Sequence, residues 1–138
     1  MSFIAERIDE INKRNKKVLS IFLTAGYPNK ISFMNVVKSV IDNGADMLEI
    51  GVPFGDSLAD GPVVQESFID ALKDGTTLRD CIGFIEEIKS YSNIPLILMS
   101  SANPVSQYGI DKFTTDSKNA GVDGLIIPDI PLEEFDDF

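Results

Sequence analysis

The stretch Leu48-Glu49-Ile50-Gly51-Val52-Pro53-Phe54-Gly55-Asp56-Ser57-Leu58-Ala59-Asp60-Gly61-Pro62 decides how this chain is read. With Met47 before it, it opens as a short apolar run, the pattern of a parallel strand covered on both faces. It ends as a loop punctuated by glycine and proline. Three carboxylates, Glu49, Asp56 and Asp60, fall where the strand gives way to solvent. Glu49 interrupts the run between Leu48 and Ile50. A carboxylate in that position has to be desolvated, paired or used, unless the strand end lets it reach water. On the residues alone both readings stand.

Outward from this run, short apolar segments alternate with stretches of helical spacing. Phe3, Ile4, Ile8 and Ile11 predict an N-terminal helix over 2–13. Val18 to Leu23 reads as a first strand. Ser32 is a candidate cap for a helix whose inner stripe is Phe33, Val36, Val37, Val40 and Ile41, with Gly44 closing it. Met47 to Ile50 is the second strand. Pro62 suits the first turn of a helix reaching about Leu72. Thr77 caps another, in which Leu78, Cys81, Ile82, Ile85 and Ile88 recur every three or four residues, so Cys81 reads as a small core residue. Ile94 to Met99 is the third strand, Ile110 to about Asn119 a weaker helix, and Gly124 to Ile127 the fourth strand. Gly44-Ala45-Asp46-Met47-Leu48-Glu49-Ile50 is echoed by Gly121-Val122-Asp123-Gly124-Leu125-Ile126-Ile127. In both, Gly and Asp serve the turn that feeds a strand, a structural role for Asp46 and Asp123.

Repeated βα units give a parallel sheet, either open and doubly wound or closed into a (β/α)8 barrel. Thr24-Ala25-Gly26-Tyr27-Pro28, after the first strand, is not a GxGxxG phosphate loop, which favours the barrel. A complete barrel takes roughly 200 to over 400 residues. The 138 residues and four strands here amount to about half of one, the N-terminal part of a single barrel domain. The final Pro131-Leu132-Glu133-Glu134-Phe135-Asp136-Asp137-Phe138 reads as the start of a helix, so the domain is expected to be truncated at Phe138. Barrel enzymes carry their chemistry at the C-terminal ends of the strands. Glu49, Asp56, Asp60, Thr24 to Pro28, Asn103 and Asp129 all fall on that side.

Composition narrows the function classes. Net charge is −10 at pH 7, which makes nucleic acid and anionic membrane poor partners. Hydrophobic content of 43% supports a real core. No apolar run is long enough to span a membrane, and the N-terminus has no signal-like core, so a cytoplasmic protein is expected. A single cysteine and no histidine exclude an internal disulfide, Ser-His-Asp or Cys-His catalysis and a His-based metal site within these residues. Acid–base chemistry would fall on carboxylates.

The run from Leu48 to Pro62 resembles the signature of the tryptophan synthase α-subunit family, LEIGVPFSDPxADGP. FLTAGYP (Phe22 to Pro28), NGAD (Asn43 to Asp46), NPVSQYG (Asn103 to Gly109) and AGVDGLIIPDIPLEE (Ala120 to Glu134) resemble further segments of that family, in family order. The resemblance implies retro-aldol cleavage of indole-3-glycerol phosphate to indole and glyceraldehyde 3-phosphate. It implies Glu49 as general acid/base and Asp60 as the carboxylate that accepts the indole N–H. Phe22 either lines the indole pocket or packs in the core. Asp56 falls in the loop that meets the β subunit, or is a solvated loop carboxylate. Asp129 either positions the Asp60 loop or makes a turn. No metal or cofactor is implied for this subunit; pyridoxal phosphate belongs to the β subunit of the α2β2 assembly.

Three departures stand out. Gly55 replaces a usual Ser or Thr and Ser57 a usual Pro, and both changes are expected to loosen the loop. Ser100-Ser101-Ala102-Asn103-Pro104 stands where the family often has TYYNP. The family's phosphate loops follow the late strands and lie beyond these residues. The chain alone is therefore expected to be inactive, with unpaired sheet edges that favour self-association. A non-catalytic, partner-binding relative or another phosphate-binding barrel enzyme is the alternative.

Overall fold

The computed structural model describes residues 2–134. Four parallel strands, β1 (Ser20–Thr24), β2 (Met47–Gly51), β3 (Leu96–Met99) and β4 (Gly124–Ile126), lie side by side in sequence order. The helices are α1 (Phe3–Lys13), α2 (Lys30–Asp42), α3 (Pro62–Lys73), α4 (Leu78–Tyr91), α5 (Ala102–Tyr108) and α6 (Ile110–Ala120), followed by a 3-10 turn at Leu132–Glu134. This is half of a (β/α)8 barrel, as the sequence predicts.

The two faces of the sheet differ because side chains alternate along each strand. Leu48, Ile50, Leu96 and Leu98 are fully buried on the outer face. They form one core with Phe33, Met34 and Val37 of α2, Cys81, Ile82, Ile85 and Ile88 of α4, and Val105, Phe113 and Ala120 of α5 and α6. The inner face carries Phe22, Glu49, Ile97 and Gly124 in one cross-strand row, all only half-buried. Helix α1 lies elsewhere, across the N-terminal ends of the strands. Its Ile4 reaches Gly124 at the start of β4, and its Arg7 reaches Asp46 below β2.

The Gly-Asp echo is a repeated piece of hydrogen bonding. Gly44 and Gly121 end α2 and α6 with φ of +101° and +97°, a region that glycine enters without steric cost. Asp46 N donates to Leu19 O at 2.9 Å, and Leu19 N donates back to Asp46 Oδ2 at 3.0 Å. Asp123 N donates to Leu96 O at 2.9 Å, and Leu96 N donates back to Asp123 Oδ2 at 2.9 Å. Each Asp thus pins the strand it precedes to its neighbour.

Several local expectations are corrected. The cap of α2 is Asn29, whose side chain accepts from Ser32 N at 2.9 Å; Ser32 is already inside the helix. Val36 points out to solvent, and Met34 takes its place in the core. β1 begins at Ser20 because Leu19 is occupied by Asp46. α5 covers all but the last residue of the NPVSQYG segment, which the apolar pattern did not mark: only Val105 is buried there. After Pro131 only a single 3-10 turn is described, and the rest of the expected helix falls outside the described residues.

Candidate functional site

Glu49 is the middle residue of β2 and sits on the inner face beside Phe22 of β1 and Ile97 of β3. Its Oε1 accepts a 2.8 Å hydrogen bond from Ser20 Oγ. Ser20 pairs with Met47, two residues before Glu49, so the carboxylate leans along the strand toward its N-terminal end. Among the described residues no Lys or Arg pairs with Glu49, Asp56 or Asp60. Glu49 is therefore neither neutralised by a cation nor free in water: it is half-buried with one neutral donor.

Phe22 is half-buried on the same face. Its ring lies against the backbone of Gly51, where an added Cβ would fall 2.5 Å from Phe22 Cζ. Gly51 is thus required for close approach, and the ring both packs on the strand end and leaves surface beside Glu49.

Asp60 lies on the loop after β2. Its Oδ2 accepts a hydrogen bond from Ser57 Oγ. Gln65, in the first turn of α3, donates from Nε2 to Ser57 O and to Asp60 O, each at 2.9 Å. The loop is tied rather than loose, a correction to the expectation for Ser57. Asp56 is exposed, next to Leu58, which is 88% exposed. Val63, at the start of α3, is 80% exposed.

Helix α3 anchors the site from the other side. Thr24 Oγ1 at the end of β1 lies 2.6 Å from Ser67 Oγ of α3. Gly26, with φ of +76°, is pressed against the buried side chain of Thr76, leaving no room for a Cβ. Among the described residues no hydrogen bond joins Asp129 to the Asp60 loop. Asp129 Oδ1 accepts from Ala102 N at 2.9 Å, joining the turn after β4 to the start of α5. Asn103 accepts from Gln107 at 2.9 Å on the exposed side of α5.

The structure therefore places Glu49 and Phe22 together and sets Asp60 on the loop that follows the Glu49 strand; no hydrogen bond joins the two carboxylates. Ser20 and Gln65 were not singled out by the sequence. Neither has a local signature, since both act on residues brought close only by the fold. No group of three or more His, Cys, Asp or Glu that could hold a metal ion occurs among the described residues.

A parallel βα half-barrel with carboxylates on its inner face and on the loop after β2 has the architecture on which barrel enzymes build their sites. Comparison with known proteins narrows this. A family model described as tryptophan synthase alpha chain matches residues 8–138. The tryptophan synthase alpha chain of Caldanaerobacter subterraneus subsp. tengcongensis is 46% identical over 134 residues, 97% of this chain and 51% of that protein. That of Parabacteroides distasonis is 45% identical over 118 residues, 86% of this chain and 46% of that protein. The crystal structure of tryptophan synthase subunit alpha from Legionella pneumophila str. Paris superposes with a TM-score of 0.95 at 35% identity, covering 99% of this chain and 53% of that one. The chain belongs to the tryptophan synthase alpha chain family. It spans about half the length of the curated relatives it matches.

Proposed function

We propose that these residues are the N-terminal half of a tryptophan synthase α subunit, a lyase that cleaves indole-3-glycerol phosphate to indole and glyceraldehyde 3-phosphate. The observation that carries the reading is Glu49: a carboxylate in mid-strand, on the inner face of the sheet, whose only hydrogen-bond partner among the described residues is a neutral hydroxyl. In the cleavage a proton is delivered to indole C3 and another leaves the glycerol hydroxyl. The C–C bond between them breaks, its electron pair passing to the ring as the hydroxyl carbon becomes the aldehyde. Glu49 is the general acid/base for these transfers. Asp60 accepts the indole N–H and stabilises the positive charge that the ring develops. Phe22 supplies apolar surface for the ring. No metal or organic cofactor takes part in this step.

Asp56 meets the β subunit, which holds the pyridoxal phosphate of the α2β2 assembly. Leu58, exposed on the same loop, and Val63, exposed at the start of α3, support an interface there. A cytoplasmic location fits this reading, and no described helix is long and apolar enough to cross a membrane. Phosphate is bound by loops after the later strands. Purified alone, residues 1–138 are accordingly inactive and self-associate: β1 and β4 are the sheet edges, and Leu125 and Ile126 on β4 are 47% and 37% exposed.

The test is indole release from indole-3-glycerol phosphate by the chain extended through the later strands, with molecular mass and release also measured on residues 1–138. Turnover by the longer chain, lost in Glu49→Gln, is expected. A longer chain that binds a β subunit without any turnover would move the reading to a non-catalytic partner protein.

A further inference from the structure

We infer that Ser57 is a positioning residue for Asp60, holding one carboxylate oxygen so that the other faces substrate. The inference rests on the lyase reading above and adds to it a role for a side chain outside the chemistry.

Ser57 is the one buried residue in the span Gly55 to Ala59: it is 6% exposed, whereas Gly55, Asp56, Leu58 and Ala59 are all exposed. A hydroxyl has a single O–H to donate, and that of Ser57 goes to Asp60 Oδ2. No described hydrogen bond reaches Asp60 Oδ1. The main chain is fixed independently. Gln65 has two amide hydrogens, and it spends one on Ser57 O and one on Asp60 O, both at 2.9 Å. Gln65 is itself held, because its N–H makes an early bond of α3 to Gly61 O at 3.0 Å. Residues 57 and 60 are thus joined twice, backbone to backbone through one amide and side chain to side chain directly.

The consequence is chemical. A loop aspartate with free rotation would have to be ordered when substrate arrives, and ordering a reacting group beforehand removes that cost from the barrier. With Oδ2 committed to Ser57, Oδ1 is the acceptor left for a ring N–H. Proline, usual at position 57 in the family, stiffens the backbone but has no hydroxyl. This chain reaches order at the same place through a charge-assisted hydrogen bond, the stronger kind.

The experiment is a double-mutant cycle in the chain extended through the later strands, with Ser57→Ala, Asp60→Ala, the pair, and Glu49→Gln, measured by indole release under single-turnover and steady-state conditions. Ser57→Ala is expected to lower kcat roughly 10-fold, about the worth of one hydrogen bond to a charged group, with KM within twofold. In the Asp60→Ala background the same change is expected to cost nothing further, because its effect passes through the missing carboxylate. An unchanged kcat in Ser57→Ala, with Glu49→Gln and Asp60→Ala both crippled, overturns the positioning role and leaves the lyase reading standing. An equal loss from Ser57→Ala with and without Asp60 also overturns it, since that is the mark of a general effect on the loop. Normal turnover in Glu49→Gln and Asp60→Ala overturns both readings.

Discussion

Two regions of one sheet treat their carboxylates differently. At the N-terminal end, Asp46 and Asp123 each accept a backbone N–H from the neighbouring strand and each pair with a cation: Arg7 at 3.3 Å for Asp46 and Lys89 at 2.7 Å for Asp123. Lys89 is further tied down, donating to Ile94 O at 2.9 Å and lying over the ring of Phe3. On the inner face at mid-strand and on the loop after β2, Glu49 and Asp60 accept from serine hydroxyls, and among the described residues no cation pairs with them. A carboxylate whose charge is met by a cation, and which also accepts a backbone N–H, holds structure together. One held by a single neutral donor keeps accepting capacity. The contrast separates framework from candidate chemistry without reference to any relative.

The strongest challenge to this division is Glu49→Gln. In the chain extended through the later strands it is expected to lower cleavage by roughly 100-fold or more, the range for losing a general acid/base, with KM and thermal midpoint near wild type. Indole-release kinetics together with a melting curve measure both. Near-normal turnover would place Glu49 with the framework carboxylates. The reciprocal variant, Asp123→Ala, should do the opposite. It removes the carboxylate partner of Lys89 and leaves the Leu96 N–H without its acceptor. Losing one partner of a fully buried pair costs about 3–5 kcal/mol; these side chains are 17% and 18% exposed, so about 2 kcal/mol is expected, read from the denaturant midpoint. A loss below about 0.5 kcal/mol would mean that this end of the sheet is not pinned by Asp123.

Gly26→Ala probes a framework element that lies on the C-terminal side. Positive φ and the side chain of Thr76 both oppose a Cβ there, so destabilisation of about 1–3 kcal/mol is expected. Equilibrium unfolding decides, and an unchanged midpoint would show that Thr76 yields freely. The smallest effect concerns the capping box of α4. Burial pushes the Asp80 carboxyl upward, but hydrogen bonds from Thr77 and the Lys30 ammonium outweigh it and hold the group below its ordinary value of 3.8. A folded-state value below the unfolded one gives stability that is present above the unfolded value, near pH 4, and is lost as pH falls through the lower folded value. Asp80→Asn should therefore flatten the fall in stability below about pH 4, while Thr77→Ala costs about 1 kcal/mol at pH 7. Identical acid limbs for wild type and Asp80→Asn would remove Asp80 from the account.

Much of this architecture could be read before folding. The parallel strands, the α4 stripe of Cys81, Ile82, Ile85 and Ile88, the Pro62 helix start and the framework roles of Asp46 and Asp123 follow from spacing and turn chemistry. The misses share one cause. Asn29 and Ser32 are both good caps by composition, and only the backbone path selects one. Val36 and Met34 are both apolar, and only the packing angle of α2 decides which faces the sheet. α5 buries one residue, too few to leave a period.

The site divides along the same line. The sequence by itself determined that a carboxylate interrupts the second strand, that acid–base chemistry would fall on carboxylates, and that Asp60 follows in a Gly- and Pro-bounded loop. These are properties of residue type and near-neighbour spacing. Only the tertiary structure decided that Ser20 holds Glu49, that Ser57 and Gln65 tie down Asp60, and that Asp129 turns to Ala102 instead. Hydrogen bonds act over about 3 Å, and which donor comes within that range depends on how strands, loops and α3 pack together. A serine or a glutamine has no periodicity that announces its partner.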